Sequence, residues 1–262
     1  MLMKLLKYDL KNMYKFLVVF YILSIFFALT TRLFFSIDDT TIIKIIGQIS
    51  VGCMFAMIAN IFINNIMRCF VRFRDTLYKD ESYLTHTLPI KKSEIYNSKF
   101  ILSFITLLSS FLVILLTLFI AYFSEEKILW LKNMINSFIT NADISVTMFI
   151  ISIIVILFLE LFSGIQSGYI GIILGYKKNN KKIGFSILYG FIYYILTQLF
   201  VLLVIRIIAI FNSDIMSLFT SNNIDMNLLK PLIILSIVIY VVIIIVSNLI
   251  AQKIFKKGVN VE

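Results

Sequence analysis

Apolar residues fill this chain in six long runs, separated by short polar stretches. The runs fall near 16–35, 43–70, 98–123, 145–175, 183–211 and 230–252. Each reaches the roughly 20 residues that an α-helix needs to cross about 30 Å of hydrocarbon. The pattern predicts an all-α integral membrane protein with six transmembrane helices in a single domain. The second and fourth runs exceed the minimum and are expected to tilt or to project from the bilayer. Two further segments read as helices lying on a surface. In "MLMKLLKYDLKNMYKF" the lysines Lys4, Lys7, Lys11 and Lys15 recur at steps of three or four, with Leu2, Leu5, Leu6, Met13 and Phe16 largely on other faces. The expectation is an interfacial helix over 1–15 that turns into the first span; the alternative is a plain extension of that span. In "EEKILWLKNMINSFIT" Ile128, Leu131, Ile135 and Phe138 share one helical face, and Trp130 is a candidate interface anchor.

Composition supports the bilayer as solvent. The chain is 60% hydrophobic, 15% charged and carries a net charge of +10. Most of its 24 basic residues lie in four places. These are before the first run, between the second and third, between the fourth and fifth, and after the sixth. That asymmetry predicts cytoplasmic N- and C-termini and places 125–140 on the outer side. It favours membrane lipid as a partner and argues against nucleic acid, because no basic patch sits on a polar folded surface. Cys53 and Cys69 lie in one helical run about 24 Å apart, too far for a disulfide. His86 is the only histidine, so neither a metal cluster nor an H-E-x-x-H site is expected. A phosphate loop and a G-x-S-x-G elbow are missing, and no pair of aspartates lies within the spans. No catalytic site and no cofactor site is therefore expected in the chain itself.

Within the spans Glu160 stands out. A mid-bilayer carboxylate costs about 2.5–3.5 kcal/mol on insertion scales, which the surrounding Ile, Leu and Phe offset at roughly 0.3–0.6 kcal/mol each. It either lines a polar pathway or is a buried, internally bonded carboxyl. Asn60, Asn64 and Gln198 are candidate pathway residues with it. Asn65 and Gln166 belong to the same polar set, which could equally bond between helices. Arg206 is not expected to pair with Glu160. The two stand roughly 34 Å and 22 Å from the turn that joins their helices. Ser163, Ser167, Gly171 and Gly175 form a small-residue stripe suited to close helix packing, expected within the chain, with a dimer seam as the alternative.

The polar stretch "KDESYLTHTLPIKK" (79–92) interrupts two spans. Asp80 and Glu81 can cap a short helix at its positive end. Tyr83, Leu84 and Leu88 can form its apolar face, and Pro89 ends it. Such an element, held between two membrane helices, suits docking into a groove on a soluble partner.

The segment "RFRDTLYKDESYLTHTLPIKKSEIYNSKFI" (72–101) resembles the loop between spans two and three of type-2 ABC exporter permeases, matching at Asp80, Glu81, Tyr83, Leu84, Thr87, Leu88, Pro89 and Lys99. "LLKYDLK" near the start and "GIQSGYIGIILGYKKNNKKIG" (164–184) are also similar. Ser82 stands where the family often has glycine. The resemblance implies a multi-pass permease subunit of a bacterial cell membrane. It would pair with a second permease subunit, as homo- or heterodimer. A cytoplasmic coupling helix at Asp80, Glu81, Tyr83, Leu84, Leu88 and Pro89 would dock a separate ATP-binding cassette subunit, which would bind the ATP and Mg. The implied activity is export of a hydrophobic or amphipathic substrate, such as an antimicrobial peptide or toxin. A non-transporting membrane immunity or anchoring protein is the alternative.

Overall fold

The computed structural model describes residues 2–37, 40–79, 81–87, 89–139, 144–211, 215–216 and 228–257. Eight helices account for nearly all of them: α1 (Leu2–Ser36), α2 (Thr41–Tyr78), α3 (Ser82–Thr87), α4 (Lys92–Tyr122), α5 (Glu125–Ile139), α6 (Val146–Gly175), α7 (Lys182–Phe211) and α8 (Leu229–Lys256). No strand occurs among the described residues. Six of these helices, α1, α2, α4, α6, α7 and α8, are long and apolar enough to cross a membrane. They coincide with the six apolar runs. α5 forms where the second surface helix is expected.

The chain divides into two compact units, Met1–Ile128 and Leu129–Asn260. In the first, α1 packs against both α2 and α4, and α3 packs against α2. The seam on α1 is Leu6, Asp9, Met13, Leu17, Tyr21, Ser24, Ala28 and Thr31. Its steps of three and four keep one face turned to its neighbours over the whole helix. Ala28, Met54 and Ala121 bring the three helices together at one level. A polar ladder runs beside this apolar contact. Asn65 Nδ2 donates to the Thr106 carbonyl (2.8 Å) and to Ser110 Oγ (2.6 Å). Ser110 in turn meets Tyr21 Oη at 2.8 Å, and Ser24 meets Thr117 at 3.2 Å. Small hydroxyl residues let these helices approach, and in an apolar medium their bonds add directionality to the packing. Asn65 is thus an inter-helix bond.

One expectation is corrected here. The first 15 residues do not form a separate interfacial helix, because α1 runs unbroken from Leu2 to Ser36. No glycine or proline interrupts it. The seam continues through Leu6, Asp9 and Met13, so this end is held by α2 and α4, while Lys4, Lys7, Lys11 and Lys15 remain exposed. Thirty-five residues span about 52 Å, well beyond a hydrocarbon core, so the polar end of α1 needs no bend to leave it.

In the second unit α6 plays the same central part, packing against α7 and α8. Ser145 caps α6, its hydroxyl accepting from Met148 N at 3.3 Å. The α6–α7 turn closes with Lys181 at φ 53°. Val201, Ile239 and Ile243 form the apolar contact of α7 with α8. The small-residue stripe is used inside the chain: a Cβ at Gly171 would lie 2.5 Å from Gly190 and from the Ser186 carbonyl.

Candidate functional site

α2 ends at Tyr78 on an aromatic floor. Phe73 meets Tyr96 edge-on at 6.1 Å and Tyr78 at 6.5 Å, and all three rings are buried. This fixes the end of α2 against α4 and gives α3 a firm base. Backbone bonds then fold the chain over: Ser82 N to the Lys79 carbonyl (2.7 Å) and Glu81 N to the Asp75 carbonyl (3.3 Å). Thr85 Oγ1 donates to the Glu81 carbonyl at 2.9 Å. His86 Nε2 lies 3.1 Å from the Leu77 carbonyl, which can only accept, so Nε2 carries the proton. Ser82 and Thr85 face inward, whereas Tyr83 and Leu84 are 75% and 68% exposed. Pro89 is exposed in the bend that follows. Asp80 and Leu88 lie outside the described residues.

Glu81 does not cap α3. Its carboxylate accepts from Arg72 Nη1 at 2.7 Å, because a guanidinium anchored on α2 outcompetes the weak field of a helix of six residues. Arg72 Nε also donates to Asp9 Oδ1 (2.8 Å), and Lys99 Nζ donates to Asp9 Oδ2 (2.5 Å). Asp9 and Lys99 have side chains only 1% exposed, Arg72 9%. One carboxylate on α1 therefore ties α2 to α4, and Arg72 extends the tie to the residue preceding α3. The four charges sum to zero, the condition under which burying them is tolerable. Sequence reasoning passed over Asp9 and Arg72 as site residues. The available signal was the step from Leu6 to Asp9 to Met13, which puts the acid on the apolar seam.

Of the pathway candidates, the structure brings Glu160 and Gln198 together. Glu160 Oε1 accepts from Tyr194 Oη (2.5 Å) and Gln198 Nε2 (2.8 Å), and Tyr240 Oη reaches Gln198 Oε1 at 3.4 Å. The acid on α6 thus bonds to α7, and Gln198 carries the network on to Tyr240 of α8. Glu160 Oε2 is buried without a hydrogen-bond partner. Arg206 is elsewhere, with Nη1 3.9 Å from Met216 Sδ. Asn60 and Asn64 belong to the first unit, and each donates one turn back along α2, to the carbonyls of Ala56 (3.0 Å) and Asn60 (2.9 Å). Among the described residues no cluster of His, Cys, Asp or Glu is arranged to hold a metal.

No family model, curated protein or solved structure matches this chain. Its chemistry is therefore argued from its own geometry. Unit one presents a short helix with exposed Tyr83 and Leu84 on a buried ionic junction, and unit two presents a mid-helix acid with one buried, unbonded oxygen.

The acid yields a direct test. Glu160→Gln keeps the Oε1 acceptor for Tyr194 and Gln198, so stability is expected to stay within about 1 kcal/mol. Glu160→Ala removes that acceptor and should cost about 1–3 kcal/mol. Denaturant midpoints in detergent distinguish the two, and equal midpoints would show that the acceptor carries no weight.

Proposed function

We propose that this chain is the membrane-spanning subunit of an ATP-driven exporter. It moves a hydrophobic or amphipathic substrate across a bacterial cell membrane, and a separate ATP-binding cassette subunit hydrolyses the ATP. In this reading α3 and both termini face the cytoplasm, and two permease chains pair in the membrane. The observation that carries the proposal is α3 itself: Tyr83 and Leu84 are exposed, while Ser82, His86 and Glu81 are tied to the end of α2 and Thr85 is bonded to Glu81. An exposed aromatic-aliphatic pair on a short, fixed helix fits the groove-docking mode of helix recognition. A loop without such ties would absorb a partner's motion. One tied to Arg72, and through it to Asp9 and Lys99, passes that motion to α1, α2 and α4. Glu160, with Tyr194 and Gln198, is the polar group offered to substrate in the second unit.

The test is co-purification. The Tyr83→Ala/Leu84→Ala chain, co-expressed with its chromosomal neighbours, should capture at least tenfold less ATP-binding subunit than the parent chain, as expected when two anchor side chains leave an interface. Its own melting should be unchanged, because both side chains are exposed. Undiminished capture with undiminished transport would overturn the docking role. A stable, functional chain that never recruits an ATPase would point to the non-transporting immunity or anchoring protein.

A further inference from the structure

A small polar cavity of about 70 Å³ opens between α1 and α2, lined by Asn12, Met13, Arg68, Val71, Arg72 and Asp75. Its charges are unevenly matched. Arg72 is held by Asp9 and Glu81, and Asp75 is held by Arg74 Nη2 at 2.8 Å. Arg68 has neither a carboxylate nor a hydrogen-bond acceptor among the described residues. Its guanidinium instead sits over Phe16, with Cζ 3.2 Å from the ring centroid. Held over the ring, the guanidinium makes no hydrogen bond among the described residues, so its N–H groups can be offered to a ligand. That is the arrangement in which arginine grips an oxyanion by two parallel bonds. The cavity has room for several waters, or for one tetrahedral oxyanion in their place.

The level of the site is set twice over. The apolar run of α1 begins at Phe16, just after Lys15, and Arg68 lies two residues before the end of the α2 run near residue 70. The stacked pair therefore sits where both helices leave hydrocarbon, at the depth of lipid headgroups. Phe16 is 45% exposed, and Lys11 and Lys15 are exposed on the neighbouring turn, adding positive potential that draws an anionic headgroup in.

We propose that the Arg68–Phe16 pair, with Asn12, is a binding site for a phosphate oxyanion, supplied by the headgroup of an anionic phospholipid. This does not rest on transport; it needs only that α1 and α2 span a bilayer.

The full chain in mild detergent is titrated separately with dioleoylphosphatidylglycerol, dioleoylphosphatidylcholine and inorganic phosphate, and the bound species are counted by native mass spectrometry. The parent chain should retain the anionic lipid at least about tenfold better than the zwitterionic one, and Arg68→Ala should abolish that preference. Arg68→Lys keeps the charge but loses the fork and should also fall. Phe16→Leu, which leaves the charge intact and loosens the stack, should fall part-way. Lys253→Gln, an exposed cation on α8 that does not line the cavity, should change little. Retention of phosphatidylglycerol that is equal in all variants would overturn the site. Binding of inorganic phosphate that depends on Arg68, with no lipid preference, would overturn the lipid source.

Discussion

Asp9→Asn is expected to destabilise the first unit by about 3–5 kcal/mol, the usual loss when one member of a buried ion network is removed. The change is nearly isosteric, so packing does not confuse the result. It leaves Lys99, 1% exposed, with no counter-charge, while Arg72 keeps only Glu81. Lys99→Met should cost less, about 1–3 kcal/mol, because Asp9 retains Arg72 at 2.8 Å and the Met stem fills the same space. The double variant Asp9→Asn/Lys99→Met removes a charge of each sign and restores balance. It should be less destabilised than the sum of the single changes by at least about 1.5 kcal/mol. Denaturant midpoints of the four proteins in one detergent complete the cycle. Additive losses would show that the two groups do not interact, and a native-like Asp9→Asn midpoint would remove the junction from the account of α3.

The junction also shows what a sequence exposes and what it hides. The six spans are legible because each is a local property of some 20 consecutive residues, and the structure places helices on all six. The break expected after residue 15 arose from the amphipathic pattern of its lysines against Leu2, Leu5, Leu6, Met13 and Phe16. A basic stripe marks an interfacial helix and the free face of a projecting helix alike, and only the partners on the opposite face separate the two. Asp9 bonds to residues 63 and 90 positions away, a pairing that no window of sequence contains. Glu160 could be found because a lone acid among Ile, Leu and Phe is locally anomalous. Its partner Tyr194 could not, because tyrosine within an apolar run reads as one more bulky ring. The exposed pair Tyr83 and Leu84 was readable from spacing, whereas the turning of Glu81 towards Arg72 was not.

Each unit is built on its first long helix, α1 in one and α6 in the other, with two later helices laid against it. Each also places an acid on that central helix: Asp9 takes bonds from both flanking helices, whereas Glu160 takes its two from α7. The chemistry differs. Asp9 meets two cations near the polar end of its bundle, whereas Glu160 meets neutral donors along an apolar stretch. The first arrangement holds helices at a fixed spacing. The second leaves one oxygen buried without a hydrogen bond.

The second large effect is expected at Gly171. Alanine there should destabilise the second unit by about 3 kcal/mol, the upper part of the range for overpacking, because the obstructing atoms are backbone and cannot swing aside. The added Cβ would lie 2.5 Å from Gly190 Cα, Gly190 N and the Ser186 carbonyl oxygen. Relief requires α6 and α7 to separate, which loosens the contact along their length and shifts Glu160 against Tyr194 and Gln198. Gly164 lies two turns earlier on the same helix with nothing within 4 Å of its would-be Cβ. Gly164→Ala should therefore stabilise by up to about 1 kcal/mol through helix propensity alone. The pair of substitutions controls for composition and for helix. If both raise the unfolding midpoint in detergent, α6 and α7 do not pack through Gly171, and the close approach that aligns Glu160 with its donors on α7 is wrong.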